Sequence, residues 1–147
     1  MALIDTPCVG VCSTVYGDDI CRGCKRTSDE VIDWNLLTAD QKYAIYARLG
    51  CHADEIVAKF LDITDKAALA ASLEAQSIRY RPDHSPSTWV LQWLRFTRED
   101  SAWDNVGLTL KPDYQHYSRL SLFTAVDKEL YEYSNSCHPG NNLLTEG

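Results

Sequence analysis

The amino-terminal fold is decided by two short stretches of sequence, PCVGVC at residues 7–12 and CRGCKRT at residues 21–27. Their four cysteines, in the spacing C-x3-C-x8-C-x2-C, are Cys8, Cys12, Cys21 and Cys24. Two or three intervening residues let the chain turn back, so both sulfurs of a close pair can bind one ion or cluster. Four thiolates complete a closed tetrahedral Zn²⁺ site, and they equally complete the ligand set of an iron–sulfur cluster. The spacing therefore predicts a metal centre without an open ligand position.

The residues beside these cysteines suit bound thiolates. Gly10 and Gly23 lie inside the two pairs, where glycine permits close approach of the backbone to sulfur. Arg22, Lys25 and Arg26 place three positive charges beside the sulfurs, and nearby cations favour deprotonated ligands. Free structural cysteines and disulfide-bonded pairs are the less favoured alternatives.

The cysteine pattern, followed by Glu30-Val31 and Trp34, resembles the DUF1289 family over about residues 6–50. Its members are small bacterial cysteine-rich proteins, often described as predicted Fe–S proteins, and their function is not established. The resemblance implies an Fe–S cluster as the cofactor of the four cysteines. One Zn²⁺ is a near-equal alternative, because soft thiolates suit both.

Two capping boxes predict where the first helices begin. Thr27 with Glu30 three residues later opens one helix, and Thr38 with Gln41 opens the next. Gly50 is expected to end the second helix. A third helix over residues 54–61 and a fourth beginning at residues 64–65 complete a helical array over residues 27–77.

The second half of the chain begins with a candidate linker at residues 79–88, which holds two prolines. A helix starting at Ser85-Pro86 follows, although a strand also fits the composition of this segment. A short strand is predicted at residues 106–110 and a further helix at residues 119–133. The end, residues 135–147, is polar and expected to be mobile.

These elements predict a mainly α fold, in which a four-Cys metal loop leads into a helical array with a carboxy-terminal α or α+β extension. Residues 1–50 form the predicted metal module with two helices, and residues 51–147 form a mainly helical region.

Composition limits the function classes. The chain has 147 residues with 14 Lys+Arg against 21 Asp+Glu, and its net charge is −7. This acidic balance argues against duplex nucleic acid or an anionic membrane as the main partner. No apolar run reaches the roughly 18 residues of a membrane span, and no signal peptide is recognised. We therefore expect a cytoplasmic protein with reduced thiols.

Three functions stay open at this point. The first is a protein-interaction or accessory module whose metal is mainly structural, with a protein partner of unknown identity. The second is an Fe–S redox carrier or sensor. The third is an accessory protein for RNA or single-stranded DNA, which the interleaved aromatic and arginine residues of the carboxy-terminal half suggest. An enzyme is not favoured, because the sequence lacks P-loop, dinucleotide, nucleophile-elbow and H-E-x-x-H motifs.

The remaining cysteines form Cys51-His52 and Cys137-His138. A second metal site from both pairs would require a coincidence of the fold. A Cys–His nucleophile pair is disfavoured, because adjacent helical residues do not face each other. Cys51 is expected to be buried and inert. Trp34 is expected to pack over the loop or in the core, and Trp89 and Trp93 to lie in the core, with a partner-binding surface as the alternative.

Overall fold

The structure is a computed structural model that describes residues 19–97 and 106–137. Within these ranges the chain is mainly α, as predicted, with five α-helices and one two-stranded sheet. In chain order the elements are α1 (Ser28–Asp33), α2 (Ala39–Phe60), β1 (Leu61–Ile63), α3 (Lys66–Ala75), α4 (Pro86–Phe96), β2 (Leu108–Leu110) and α5 (Arg119–Ser136). Short 3₁₀ helices lie at Trp34–Leu36 and Pro112–Tyr114.

The chain divides into two compact units. The N-terminal unit comprises residues 1–49 and 130–147, and its described part is residues 19–49 and 130–137. The central unit comprises residues 50–129.

Both predicted capping boxes of the N-terminal unit are confirmed. The Thr27 hydroxyl accepts a hydrogen bond from the Glu30 backbone N–H at 3.2 Å, and the Glu30 carboxylate accepts one from the Thr27 N–H at 2.8 Å. Thr38 and Gln41 make the same reciprocal pair at 3.1 and 2.8 Å. Each box satisfies backbone donors that a helix start leaves without intrahelical partners.

The predicted helix end at Gly50 is wrong. Helix α2 continues through this glycine to residue 60, so the separate helix expected over residues 54–61 is its last part. A glycine inside a helix costs only about 1 kcal/mol relative to alanine. Burial of Ile56 and Val57 on one face carries the helix onward.

The central unit contains a small antiparallel sheet, in which Leu61 of β1 pairs with Leu110 of β2. Strand β2 lies inside the predicted segment 106–110. Strand β1 was not predicted, and its first residue, Leu61, was expected to be the last residue of a helix. Gly107 precedes β2 with a φ of +76°, and its carbonyl accepts a hydrogen bond from the Thr64 N–H at 2.7 Å. Its positive φ is one that glycine adopts without a steric penalty.

Helix α3 begins where the sequence predicts, with the Asp65 carboxylate accepting a hydrogen bond from the Ala68 N–H at 3.1 Å. Helix α4 confirms the predicted helix, with Ser85 as N-cap and Pro86 in the first turn. The residues between α3 and α4, which include most of the segment 79–88, lie inside the central unit.

The core of the central unit is formed by helices α2 to α5. Trp93 of α4 is fully buried, and its indole N–H donates to the Ser72 hydroxyl of α3 at 2.9 Å. The other large, fully buried side chains described in this unit are aliphatic: Ile56, Val57, Leu61, Leu69, Leu73, Val90, Leu94, Leu122 and Val126.

Helix α5 confirms the predicted helix over residues 119–133 and ends at Ser136. Most of the segment expected to be mobile, residues 138–147, lies outside the described residues. None of the helices in the described ranges combines the length and apolar composition that crossing a membrane requires.

Candidate metal centre

The second cysteine pair lies on a tight hairpin. Ile20 and Thr27 form an antiparallel bridge, and the chain reverses between them. The Cys21 N–H donates to the Arg26 carbonyl, and the Lys25 N–H donates back to the Cys21 carbonyl, both at 2.8 Å. The turn runs directly into the N-cap of α1 at Thr27. The C-x2-C spacing thus places both cysteines on one fixed turn, as the sequence predicts.

Lys25, the residue after the second cysteine, has a φ of +68°. Non-glycine residues enter this left-handed region rarely and at an energetic cost. Its ammonium group repays part of this cost by donating to the carbonyls of Arg22 and Gly23, the latter at 3.2 Å. The lysine therefore closes the turn with its own side chain.

The sulfurs of this turn are well protected from solvent. Cys21 is 1% exposed, Cys24 is half-buried, and neither is part of a disulfide. The other two predicted ligands, Cys8 and Cys12, lie outside the described residues. The structure therefore describes one half of the predicted ligand set.

Arg26 contacts the Cys24 sulfur. Its Nε–H donates to the Cys24 sulfur at 3.1 Å. Arg22 has a different neighbour, since its guanidinium carbon lies 4.3 Å from the centre of the Tyr131 ring. The three cations that the sequence groups together thus have three different contacts: a sulfur, an aromatic face and the carbonyls of the turn.

The protonation of Cys24 reflects this environment. Burial raises the pKa of the Cys24 thiol above its ordinary value, and the neighbouring Cys21 adds to that rise. The hydrogen bonds and positive charge of Arg26 act in the opposite direction and reduce the increase. A cation bound at the sulfur would favour the thiolate further.

The turn is joined to the helices by Trp34, which is 6% exposed. The Arg26 guanidinium lies over its ring at 4.9 Å, and Lys42 of α2 approaches the ring at 5.4 Å. Tyr46 packs against it edge-on, with ring centres 5.7 Å apart. The prediction that Trp34 packs over the loop or in the core is confirmed.

A second connection joins the helix start to α2, and it is one that the sequence did not predict. Arg48 donates to the Glu30 carboxylate, with one N–O distance of 2.7 Å. Burial alone would raise the pKa of Glu30, but the hydrogen bonds from Arg48 and Thr27 outweigh it and hold the pKa below its ordinary value. Eighteen residues separate the pair, so no local pattern signals it.

Within residues 19–97 and 106–137, no group of three or more His, Cys, Asp or Glu side chains is placed to hold a metal ion. Cys51 is exposed on α2, so the prediction that it is buried is wrong. Position 51 follows the buried Gly50 and lies on the outer side of a helix that was expected to have ended. Cys137 is exposed as well, and His138 lies outside the described residues.

The tryptophans of the carboxy-terminal half are core residues. Trp89 and Trp93 are both buried, and the Trp89 indole N–H donates to the Arg81 carbonyl at 2.8 Å. Trp103 and Arg98, which contributed to the aromatic and arginine pattern, lie outside the described residues. The described tryptophans therefore serve packing, and they are not suitable probes of a partner surface.

One open groove of the central unit is lined by polar residues that include Asp54, Lys66 and Ser85. The Ser85 hydroxyl donates to the Asp54 carboxylate and accepts from the Ser87 N–H. Ser85 is thus engaged in capping α4, and Asp54 accepts a hydrogen bond from its hydroxyl.

Comparison with known proteins gives one family match, over the region that contains the described turn. Residues 6–53 match DUF1289, a family of proteins of unknown function. The match confirms the predicted resemblance, and it covers about a third of the chain, from the first cysteine pair to the middle of α2. No curated protein and no solved structure matches the chain significantly.

Proposed function

We propose that Cys8, Cys12, Cys21 and Cys24 bind one inorganic centre, an Fe–S cluster in first place and one Zn²⁺ as the near-equal alternative. The Cys21–Cys24 turn is the observation that supports this most strongly. It holds two cysteines that are not disulfide-bonded, and an arginine N–H is directed at one of the sulfurs. N–H donors near thiolates are the surroundings that tune such centres.

The first role of the centre is structural. Metal binding and folding are coupled in small modules that have little apolar core of their own. The turn is continuous with α1 and packs on Trp34, so ligation at the turn also fixes the start of the helices. On this proposal the DUF1289 region folds around its metal.

The protein as a whole is proposed to be a cytoplasmic accessory protein that binds another protein. Two branched side chains that follow the turn in the sequence support a contact surface: Ile32 is 75% exposed and Leu36 is 82% exposed. An Fe–S redox carrier or sensor is the alternative, because four thiolates suit a cluster as well as an ion. The class of centre separates the two, since zinc has no redox chemistry.

The metal assignment is tested by Cys21→Ser, with Cys137→Ser as the matched control. We expect Cys21→Ser to lose the metal and to increase hydrogen exchange over residues 6–34, while Cys137→Ser changes neither. Elemental analysis and exchange mass spectrometry on protein purified without air measure both. Equal metal loss in the two variants would refute the ligand assignment.

The class of centre is tested on the same wild-type sample. Iron with acid-labile sulfide and a brown colour identify a cluster, and a colourless sample with one zinc per chain removes the redox alternative.

The interaction role is tested with Ile32→Ser/Leu36→Ser, with Phe96→Ser of the central unit as control. A cross-linked partner that is lost with the double variant and kept with the control supports the proposal. A partner that is kept by both places the contact elsewhere.

A further inference from the structure

Arg26 is a buried cation between the cysteine turn and the helices. It is 3% exposed, although arginine is rarely buried to this extent without partners. Its Nε–H donates to the Cys24 sulfur at 3.1 Å, and its guanidinium lies 4.9 Å from the centre of the Trp34 ring. Its backbone carbonyl accepts the Cys21 N–H at 2.8 Å. The side chain and the main chain of Arg26 are therefore both fixed by the turn.

Trp34 extends this connection to α2. Lys42 lies 5.4 Å from its ring and Tyr46 contacts its edge at 5.7 Å, and these two residues are one helical turn apart. A continuous set of contacts thus runs from the Cys24 sulfur through Arg26 and Trp34 to α2.

The strength of the first contact depends on the state of the sulfur. A metal-bound thiolate keeps negative charge, and charge-assisted hydrogen bonds are roughly twice as strong as neutral ones. A buried guanidinium that loses a charged partner is destabilised, because burial without compensation is costly.

We propose that Arg26 couples the loading of the sulfur centre to helices α1 and α2. A bound centre strengthens the hold on the guanidinium between Cys24 and Trp34, and loss of the centre weakens it. Arg26 is a positioning residue that acts through Cys24 and Trp34 and is not itself a ligand. This inference rests on the proposed four-thiolate centre, and it implies that a partner contacting α1 distinguishes loaded from empty protein.

The test uses the full chain, reduced and stripped of metal, with Co²⁺ as the probe. Wild-type protein is expected to bind one Co²⁺ with sulfur-to-metal charge-transfer absorption. Arg26→Gln is expected to bind the same number of ions with a Kd about 10-fold to 100-fold higher, the range found when groups that orient metal ligands are removed. Its charge-transfer band is expected to shift, because the sulfur has lost its N–H donor.

Hydrogen exchange measures the coupling itself. In the wild type, Co²⁺ is expected to increase protection at the turn and at residues 28–49. In Arg26→Gln, the increase is expected to remain only at the turn. Equal gains at residues 28–49 in both proteins overturn the coupling.

Two matched variants separate a specific contact from general effects. Arg22→Gln makes the same charge change in the same turn at a residue stacked on Tyr131. Arg48→Gln removes the ion pair with Glu30, which is a second connection between α1 and α2. Arg22→Gln is expected to weaken Co²⁺ binding by less than Arg26→Gln does and to leave the band unshifted, whereas Arg48→Gln is expected to bind Co²⁺ with nearly wild-type affinity and an unshifted band. A loss in Arg22→Gln equal to that in Arg26→Gln overturns the proposal, because charge alone then explains the result.

Arg26→Lys keeps the inference testable if Arg26→Gln does not fold. Lysine retains the charge, but it lacks the planar guanidinium that can stack on Trp34 and donate to Cys24 at the same time. The Co²⁺ affinity of Arg26→Lys is therefore expected to be lower than that of the wild type. If the Arg26 variant that folds is identical to the wild type in Co²⁺ affinity, charge-transfer spectrum and hydrogen-exchange protection, the proposed role of Arg26 is overturned. Absence of sulfur-based absorption in wild-type protein instead overturns the four-thiolate centre.

Discussion

The two units of the chain bury different kinds of side chain. The buried residues described in the central unit are mostly aliphatic or aromatic, from Ile56 on α2 to Val126 on α5. The described part of the N-terminal unit buries few residues of that kind. Its buried set includes two cations, Lys25 and Arg26, beside Cys21 and Trp34.

This difference indicates two sources of stability. Apolar burial contributes about 25 cal/mol per Å², so the central unit has a conventional source of folding free energy. The described part of the N-terminal unit buries Ile20, Ile45 and Leu130 as its aliphatic residues, beside the sulfur, charged groups and ring of the turn. Buried charges stabilise poorly unless they are paired, which supports the proposal that a bound centre supplies part of the folding free energy of this unit. The predictions below test that separation.

The largest expected effect is in the central unit. Trp93→Ala removes a fully buried indole. It also removes the N–H that donates a hydrogen bond to the Ser72 hydroxyl. We expect the free energy of unfolding to fall by about 3–5 kcal/mol. Hydrogen exchange should rise across residues 50–129 while metal content per folded chain stays unchanged. If Trp93→Ala also lowered the metal content per folded chain, the two units would not be stabilised separately.

The next effect concerns Gly107. A Cβ at this position would lie 2.0 Å from the Asp65 carbonyl oxygen, and the backbone has a φ of +76°. Gly107→Ala should therefore lower the free energy of unfolding by more than the roughly 1–2 kcal/mol that the left-handed backbone alone costs. Chemical denaturation measures it.

Gly50→Ala is the matched control for that substitution. Gly50 is helical, and an added Cβ would meet the Ser85 Cβ at an ordinary 3.7 Å. Because alanine favours a helix over glycine by about 1 kcal/mol, this variant should be more stable than the wild type. A destabilised Gly50→Ala would contradict the continuous helix.

A smaller effect is expected from the ion pair of the N-terminal unit. The pKa of Glu30 lies below its ordinary value in the folded state, because hydrogen bonds from Arg48 and Thr27 outweigh the effect of burial. Its contribution is therefore complete above the pKa of unfolded glutamate and is lost as the pH falls through the folded pKa. Glu30→Gln should cost about 1–2 kcal/mol at neutral pH, and the difference from the wild type should shrink in acid.

NMR measures the pH-dependent difference between Glu30→Gln and the wild type in each unit. The indole signal of Trp34 reports on the N-terminal unit, and that of Trp93 reports on the central unit. An acid-sensitive difference at Trp93 rather than Trp34 would contradict the assignment of this ion pair to the N-terminal unit.

The features that the sequence predicted correctly are local. The capping boxes at Thr27 and Thr38 and the Ser85-Pro86 helix start involve contacts within three residues, so their pattern is visible in the chain. The C-x2-C turn is equally local. Short sequence separation thus explains why these parts of the fold and of the candidate centre could be predicted.

The features that the sequence missed depend on distant residues. Strand β1 is defined by pairing with β2, from Leu61 to Leu110, and neither three-residue strand has a strong pattern of its own. The passage of α2 through Gly50 is decided by burial of Ile56 and Val57 in the core. The Glu30–Arg48 pair and the stacking of Arg26 on Trp34 likewise become visible only when the helices are placed.

Whether four sulfurs bind one centre is decided by counting metal and free thiols in five proteins purified without air. These are the wild type and the single serine variants of Cys8, Cys12, Cys21 and Cys24. The account predicts a full complement of iron with sulfide, or one zinc, in the wild type and a marked loss in each of the four variants. A wild type whose four cysteines are paired in disulfides, or four variants that keep their metal, would contradict it.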